Sequence, residues 1–283
     1  VIDVATCDFK ELHPTEGYKK MAALTLPSYR VEDLEGHAVE AKIEDLGANF
    51  EYDLPKDKFR QARIARQVRV TVPVHLAPLS WTTFQLLEGK QEHRDGIYQN
   101  GVIDMPFVTV SVDENITVYD KTTHEAYEDI IRFEDRGDIG NEYIYFQPKG
   151  TEPIYAELKG YEVLENTARF AKILLKHELT IPVSADEKLD AEQRGIIEFM
   201  TREAGRSEEL TTLPLETEMT VFVDNPQIRF KTRFTNTAKD HRIRLLVKTH
   251  NTRPSNDSES IYEVVTRPNK PAASWENPEN PQH

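Results

Sequence analysis

The sequence is poor in the features that identify several common protein classes. Its 283 residues include one cysteine, Cys7, so no disulfide can form within the chain. No stretch approaches the ~20 consecutive apolar residues that a membrane-spanning helix requires. Basic residues are in the minority, since 35 Lys and Arg face 49 Asp and Glu and leave a formal charge of −14. A field of that sign repels phosphate backbones and argues against a nucleic-acid partner.

Familiar cofactor and catalytic motifs are also missing. The chain has no Gly-x-Gly-x-x-Gly, no phosphate-binding loop and no Gly-x-Ser-x-Gly, which removes the common nucleotide-binding and hydrolase classes. The nine histidines lack metal-ligand spacing, and His124 opens His-Glu-Ala-Tyr-Glu instead of His-Glu-x-x-His. We therefore expect no metal ion in this chain. No signal-peptide pattern is present and the lone cysteine tolerates a reducing compartment, so we expect a cytoplasmic protein.

Apolar residues recur with a period of two along most of the chain, which is typical of β-strands. The stretch 68–76 alternates valines with polar residues, and its Pro73 predicts an edge strand or a bulge. The stretches 108–112 and 116–119 flank a polar triplet and predict a hairpin. A second hairpin is predicted from 228–234 and 241–249, and two strands turning near Asn166 from 159–181.

Turn signals every 8–12 residues then indicate an all-β sandwich architecture. The segment 189–205 is compatible with either a helix or a strand. A polar, turn-rich stretch at 88–96 predicts two domains, a small β-sandwich at 1–88 and a larger β-sandwich at 97–283. The strand face formed by Arg229, Lys231 and Arg233 could bind an anion, although a solvated face is the simpler interpretation.

The densest polar constellation lies at 133–150. Its carboxylates are expected in a loop with two glycines: Glu134, Asp135, Asp138 and Glu142. The aromatic residues Tyr143, Tyr145 and Phe146 follow directly. Carboxylates accept hydrogen bonds from sugar hydroxyls and aromatic rings cover the C–H face of a sugar, so the pattern suits a carbohydrate site. An acidic turn that leads into a strand with core aromatics is the simpler explanation on pattern alone, and the spacing does not fit a calcium-binding EF-hand.

Several stretches, in order along the chain, resemble one family. They are Tyr52-Asp-Leu-Pro55, Phe107-Val-Thr-Val-Ser-Val-Asp113, Ile116-Thr-Val-Tyr-Asp-Lys-Thr-Thr123, Phe133-Glu-Asp-Arg-Gly-Asp-Ile-Gly-Asn-Glu-Tyr143, Asp240-His-Arg-Ile-Arg244 and the closing Trp275-Glu-Asn-Pro … Pro-Gln-His283. Together they resemble the β region that follows the catalytic domain in bacterial α-mannosidases of glycoside hydrolase family 38. The resemblance implies that the larger sandwich is similar to the supersandwich of galactose mutarotases.

The resemblance further implies a retaining glycosidase whose zinc ion is bound by two His and two Asp in an N-terminal α/β domain. The His-x-Asp motif of that domain has no match here, and the chain opens at Val1, not at Met. We therefore expect a non-catalytic piece of a longer polypeptide, without catalytic residues and without a cofactor of its own. Its expected partners are the catalytic domain, which would hold the zinc, and an α-mannoside. A homo-oligomer is compatible with the sequence.

In that family the β region contributes an aromatic residue to the rim of the sugar subsite. Tyr143 is the best positional match, with Tyr145 as a competitor, and Asp138 and Arg136 are further substrate-binding candidates in the same loop. A rival from another class is a free-standing carbohydrate-binding module. A third hypothesis, a mutarotase-like epimerase, requires a positioned acid and base.

Overall fold

Alternating β-branched and polar residues form strands along most of the chain in the computed structural model, which describes residues 1–9, 12–57, 59–91, 95–141, 143, 145–198 and 201–269. The all-β class is confirmed. The chain divides into unit 1, Val1–Arg94, and unit 2, Asp95–His283. The domain limits 1–88 and 97–283 stay predictions, and the motif that begins at Trp275 lies outside the described residues.

Unit 1 consists of two antiparallel three-stranded sheets and a helix. Its elements are β1 (Ile2–Asp8), α1 (Pro14–Ala22), β2 (Tyr29–Asp33), β3 (Ala38–Val39), β4 (Lys42–Asp53), β5 (Gln61–Thr71) and β6 (Phe84–Glu88). One sheet has the order β1-β5-β4 and the other β3-β2-β6. In β4 the left-handed Gly47 sits at a bulge, where its N–H donates to Asp45 Oδ1.

Helix α1 was not predicted, because its nine residues are too few to show a sustained apolar stripe. Pro14 occupies the first turn, where a missing N–H costs nothing. Gly17 and Met21 are buried beside Cys7 and form the small core of unit 1 with Ile64. Arg66 of β5 donates to the carbonyls of Met21 and Ala22 at 3.1 and 3.0 Å, which satisfies groups left open at the helix end.

The prediction for 68–76 was wrong in two respects. Strand β5 ends at Thr71, before Pro73, and it is the central strand of its sheet instead of an edge. The alternative, a bulge, occurs in the two partner strands, where the register of β1 and of β4 shifts next to Gln67. A proline cannot donate to a partner strand, so the sheet ends before it reaches Pro73.

Unit 2 is larger and contains the remaining described elements. They are β7 (Tyr98–Gln99), β8 (Val102–Asp104), β9 (Val108–Val112), β10 (Ile116–Asp120), β11 (Glu125–Tyr127), β12 (Ile131–Gly137), β13 (Ile154–Tyr155), β14 (Glu157–Asn166), β15 (Phe170–Pro182), α2 (Lys188–Arg194), β16 (Leu210–Phe222), β17 (Asn225–Arg233), β18 (His241–Val247), β19 (Ser255–Ser260) and β20 (Glu263–Pro268). The predicted first hairpin is confirmed as β9 and β10, and the strand pair at 159–181 as β14 and β15.

Unit 2 contains a four-stranded sheet with the strand order β14-β15-β16-β17. Alternate residues of β15 and β16 are fully buried, and they pack against two further sheets. At one end Ile173 and Met219 meet Val110 and Ile103 of the sheet β11-β10-β9-β8-β7. At the other end Leu179, Leu213 and Leu215 meet Phe133 of the sheet β13-β12-β18. Because these core side chains recur at every second residue, they share one sheet face, and the unit is a β-sandwich.

The second predicted hairpin was wrong. Strand β17 pairs with β16, whereas β18 pairs with β12 in a different sheet. The local alternation of apolar and polar residues predicted both β17 and β18 as strands. The partner of β18, however, lies more than one hundred residues away in the sequence, and local patterns do not specify such a contact.

The ambiguous segment 189–205 begins as a helix. Helix α2 packs through Leu189 against Ile139, Ala185 and Ala204. The described residues 195–198 and 201–205 form no strand, while 199 and 200 lie outside the described part. No helix among the described residues is long and apolar enough to cross a membrane.

Candidate functional site

The polar residues of the stretch 133–150, predicted to share one loop, are divided between a strand and a loop. Glu134, Asp135 and Arg136 belong to β12 and not to the expected loop, whereas Asp138 begins the loop that follows. Successive strand residues point to opposite faces, so Glu134 and Arg136 share one face and Asp135 occupies the other. Of the described carboxylates, Glu134 and Asp135 therefore cannot converge on a single ligand.

Asp138 organises the loop. Its Oδ1 accepts hydrogen bonds from the N–H groups of Gly140 and Phe146 at 3.0 and 3.1 Å. Its own N–H donates to the carbonyl of Asp240 at 2.8 Å, which ties the loop to the start of β18. Arg202 reinforces the loop by donating to the carbonyls of Ile139 and Gly140. Asp138 is thus occupied with backbone groups, which makes it a loop-positioning residue.

The two candidate tyrosines have different surroundings. Tyr143 is 86% exposed, and its N–H donates to Asn141 Oδ1 at 2.9 Å. Tyr145 is partly buried, its hydroxyl donates to Gln147 Oε1 at 3.2 Å, and the Arg242 guanidinium lies 3.6 Å from its ring centre. Burial raises the pKa of Tyr145, while Arg242 and Arg136 oppose that change. Glu142 and Ile144, between and beside these residues, lie outside the described residues.

Arg136 is fixed by two partners. Its Nε donates to Glu134 Oε1 at 2.8 Å and its Nη1 to Gln147 Oε1 at 3.1 Å. Its hydrogen bond with Glu134 raises the pKa of Arg136, so this side chain remains a cation. Gln147 accepts from both Arg136 and Tyr145 and therefore brings these two candidates together. Among the described residues, no hydrogen bond or ring contact joins the Tyr143 side chain to them.

Glu134 is the centre of the resulting network, although the sequence pattern presents it only as one of four carboxylates in the stretch 133–150. Its side chain is 2% exposed and accepts from Arg136, from Arg244 and from the Tyr155 hydroxyl. Burial alone would raise the pKa of Glu134, but hydrogen bonds from Arg136, Arg244 and Tyr155 outweigh it and lower the pKa from 4.5 to about 2. Glu134 is therefore an anion across the physiological range.

The strand register gives this network a simple layout. Glu134 lies directly opposite Arg244, and Arg136 lies directly opposite Arg242, across the β12–β18 pair. We call this surface the arginine face; it consists of Glu134, Arg136, Arg242 and Arg244 with Tyr145 and Tyr155 at its sides. The spacing of Arg242 and Arg244 around Ile243 carried the signal, since alternate residues share a face. It was missed because β18 was assigned to the wrong partner strand.

The opposite face of the same strands holds a buried ionic cluster. Asp135 is fully buried and pairs with Arg206 and with His241, whose Nδ1 lies 2.6 Å from Asp135 Oδ1. His241 Nε2 also lies 3.0 Å from Asn236 Oδ1. Such a cluster joins β12, β18 and the segment around Arg206, and its burial makes Asp135 unavailable to a ligand.

A group of potential metal ligands occurs in unit 1, at residues that the histidine spacing does not single out. Asp33, Glu35 and His37 bring ligand atoms within 4.8 Å of one another at the turn between β2 and β3. Asp33 Oδ1 already accepts from the N–H groups of Glu35 and His37, and Asp33 Oδ2 lies 3.1 Å from His37 Nδ1. These bonds hold the turn, and both Glu35 and His37 are exposed, so we assign the group a structural role.

Comparisons with known proteins give a consistent result. Residues 1–88 match the family model described as glycosyl hydrolases family 38 C-terminal domain 1. A curated protein from Halalkalibacterium halodurans, named "Putative mannosylglycerate hydrolase", is 31% identical over 278 residues, which cover 93% of this chain.

Two solved structures are similar over nearly the whole chain. An α-mannosidase from Enterococcus faecalis is 36% identical with a TM-score of 0.87, and the match covers 99% of this chain. A second protein from the same organism, described as a member of glycosyl hydrolase family 38, is 30% identical with a TM-score of 0.79 over 94% of this chain. The chain spans 31% of the length of the curated relative and 33% and 32% of the two solved chains.

Proposed function

Since the chain belongs to glycosyl hydrolase family 38, we propose that it is the non-catalytic β region of a hydrolase that cleaves α-mannosides. The observation that carries this proposal is the 36% identity and TM-score of 0.87 to an α-mannosidase across 99% of the chain. Such a match concerns one third of that enzyme, so the activity is proposed for the longer polypeptide and not for these residues alone.

The surroundings of the described carboxylates favour a non-catalytic role for this chain. A retaining glycosidase uses two carboxyl groups about 5–5.5 Å apart, one of them protonated at working pH. Glu134 has its pKa lowered to about 2 and cannot serve as that acid, and Asp135 is fully buried in an ion pair. Asp138 is bonded to the loop backbone. We propose that both catalytic carboxyls lie in the remainder of the polypeptide.

We propose the same location for the zinc ion. A zinc site with two His and two Asp would need four ligands converging in tetrahedral geometry. In the part of the chain that the structure describes, the one group of at least three potential ligands is the exposed turn cluster Asp33, Glu35 and His37. That cluster does not fit this ligand set, so we derive no step through a metal from residues of this chain.

Unit 1 carries a surface suited to contact with the remaining polypeptide. Phe50 and Tyr52 form an edge-to-face pair with ring centres 4.9 Å apart, and both are about half exposed. Leu54 and Phe59 extend the patch with 76% and 83% of their surface exposed. Exposed apolar patches of this kind mark interaction sites. We propose that it contacts the catalytic part of the hydrolase.

In unit 2, Tyr143 is our proposed contribution to the wall of the sugar site. Its ring is 86% exposed and thus available to the C–H face of a sugar, whereas one ring face of Tyr145 is covered by Arg242. Arg136 is held rigidly enough to donate to a hydroxyl, and Asp138 sets the shape of the loop. We further propose a cytoplasmic protein, in keeping with the single buried cysteine, and leave a homo-oligomer as an expectation.

The experiment compares the full-length polypeptide with the 283-residue chain in hydrolysis of a chromogenic α-mannoside. We expect the full-length protein to be active and to lose activity with a metal chelator, and the chain alone to be inactive. Tyr143→Ala in the full-length protein should lower kcat/KM, whereas Tyr262→Ala, at a fully exposed turn, should not. Hydrolysis by the metal-free chain alone would contradict the proposal.

The rival hypothesis is a free-standing carbohydrate-binding module, in which the exposed Tyr143 ring would bind sugar without the rest of the polypeptide. Titration of the chain with mannose oligosaccharides distinguishes this hypothesis from the proposed role as part of a hydrolase. Affinity that is measurable without the rest of the polypeptide and is lost in Tyr143→Ala favours the module.

A further inference from the structure

The sandwich of unit 2 is open along one strand, β18. In the sheet β13-β12-β18 this strand comes last among those described, so one of its edges has no neighbouring strand there. On β12, Ile131 and Phe133 are 2% and 3% exposed. Directly opposite them on β18, Val247 and Leu245 are 54% and 43% exposed. Directly opposite residues share a sheet face, so the cover over the apolar core stops between these two strands.

The backbone of β18 points to the free edge at every second residue. Just past the end of the strand, the Lys248 N–H donates to the Ile130 carbonyl at 2.9 Å. The register between β12 and β18 has no shift, and bonded positions alternate with non-bonded ones in an antiparallel pair. Three non-bonded positions of β18 therefore direct their N–H and C=O groups to the free edge: Ile243, Leu245 and Val247. An unpaired row of such groups is a template for another strand.

The other described edges of the three sheets in the sandwich are short or irregular. Strands β7, β11 and β13 have only two or three residues. The pairings of β14 and β17 contain register shifts, and β17 also contains Pro226. Proteins use such features to prevent pairing between edges. Strand β18 has seven residues, no proline and no register shift, so it is the edge suited to accept a further strand.

The charge beside this edge indicates what kind of strand would fit. Arg136 and Arg244 share one carboxylate, that of Glu134. Arg242 has no carboxylate partner among the described residues; it stacks on the Tyr145 ring, and its buried Nε has no hydrogen-bond partner there. A strand added to the edge would place every second side chain next to Arg242 and Arg244. A carboxylate at such a position would balance the surplus positive charge.

A second copy of the chain does not suit this edge. Around a two-fold axis, β18 would pair antiparallel with its own copy. In each register that pairs most of the strand, a cation then lies directly opposite a cation: Arg242 opposite Arg244, Arg244 opposite its copy, or Arg242 opposite Lys248. Like charges in this position are destabilising. The charge of the edge therefore favours a partner with acidic residues.

We propose that an extended segment of the longer hydrolase, from outside these 283 residues, pairs with the free edge of β18 as an additional strand. Its residues alternate, with apolar side chains next to Leu245 and Val247 and a carboxylate next to Arg242. The chain spans 33% of the similar α-mannosidase, so the larger part of such a polypeptide is available to supply the segment. This inference rests on the proposed function, because it requires the longer polypeptide.

The test is amide hydrogen exchange, resolved to single residues, in the full-length polypeptide and in the 283-residue chain. In the chain alone we expect fast exchange at the free edge, at Ile243, Leu245 and Val247. In the full-length protein these amides should exchange at least about 100-fold more slowly, because they then donate to the added strand. Arg244 and Leu246 are internal controls, since their N–H groups point to β12 and should exchange slowly in both proteins.

One variant tests the apolar contact. Leu245→Lys places a charge where the added strand would cover it, and it should restore fast exchange at Ile243 and Val247 in the full-length protein. In the chain alone the same change should alter little, because this side chain is already 43% exposed. Leu164→Lys on β14 is the matched control, since Leu164 is 42% exposed. Equal effects of the two variants on the exchange of β18 would contradict the proposal.

A second variant tests the charge. Arg242→Gln should speed the exchange of Ile243 in the full-length protein by about 3- to 5-fold, as expected for loss of one pair of opposite charges between strands. Arg229→Gln is the control, because Arg229 also stacks on an aromatic ring, that of Phe222, but in a different sheet. Unchanged exchange in Arg242→Gln would overturn the assignment of a carboxylate to the added strand.

The outcomes distinguish this inference from the proposed function, because hydrolysis of a chromogenic α-mannoside is measured on the same full-length protein. Fast exchange at the free edge of an active full-length protein would overturn the added strand and leave the proposed function intact. Slow exchange without hydrolysis would overturn the proposed function and keep the added strand. Slow exchange already in the chain alone would show that the chain itself, or at high protein concentration a second copy, covers the edge, and would overturn the proposal.

Discussion

Replacing Glu134 by glutamine removes the negative charge that holds Arg136 and Arg244 together. The glutamine fits the same space and keeps one acceptor oxygen, so the change isolates the charge. We expect Glu134→Gln to lower the free energy of unfolding at pH 7, because Arg136 and Arg244 then lose the anion with which both of them pair.

The magnitude follows from the pKa of Glu134, which changes from 4.5 to about 2 on folding. That difference corresponds to at most about 3 kcal/mol of stability at neutral pH. The arginine side chains remain 29% and 39% exposed for Arg136 and Arg244. Screening by water then reduces the expected effect to about 1–2 kcal/mol.

The sign of the pH dependence follows from the lowered pKa. A carboxylate of this kind contributes its full stability above pH 4.5 and loses it as the pH falls towards 2. The gap between the wild type and Glu134→Gln should therefore be largest at pH 7 and should narrow by about 1 kcal/mol at pH 3.

The assay is urea-induced unfolding of both proteins at pH 7 and pH 3, followed by circular dichroism. Glu157→Gln is the control, since Glu157 pairs with Lys159 at the surface and should have little effect at either pH. A gap that stays constant between the two pH values would refute the argument, because it would show that the charge of Glu134 is not what stabilises the fold.

Three further predictions concern the core of unit 2. Gly137→Ala should destabilise the protein by about 1–3 kcal/mol, because the new Cβ would lie 2.9 Å from Pro148 Cγ and 3.0 Å from Arg206 Cδ. Gly160→Ala, whose new Cβ meets nothing within 4 Å, should cause no loss of stability, and thermal unfolding of both variants measures the difference. Burial lowers the pKa of His177, against a weaker opposite effect of Asp129, so stability should fall as the pH decreases below 6.5. His177→Leu should flatten that part of the stability profile, and an unchanged slope would contradict the assignment to His177. Leu175→Ala should cost about 2–5 kcal/mol in denaturant unfolding, since Leu175 is fully buried, while Leu164→Ala, 42% exposed, should cost clearly less.

The sequence pattern points to some of the residues around the candidate site, and their part in substrate binding stays a prediction. Arg136, Asp138 and Tyr143 were selected from one continuous stretch, where carboxylates, glycines and aromatics are visible as neighbours. In the structure, Arg136 and Tyr145 both donate to Gln147. Asp138 accepts a hydrogen bond from the loop backbone, and Tyr143 is exposed. Glu134 and Arg244, 110 residues apart, could not be paired in this way because nothing local specifies their contact.

The sequence by itself determined the strand-rich class and the local strand pairs β9–β10 and β14–β15. Period-two alternation and short polar turns are encoded within a few neighbouring residues, so they can be found without knowing the fold. Only the tertiary structure decided that β18 joins β12 instead of β17, and with that choice it created the arginine face. Partner and register between distant strands depend on which buried surfaces fit together, and that fit is a property of the assembled core.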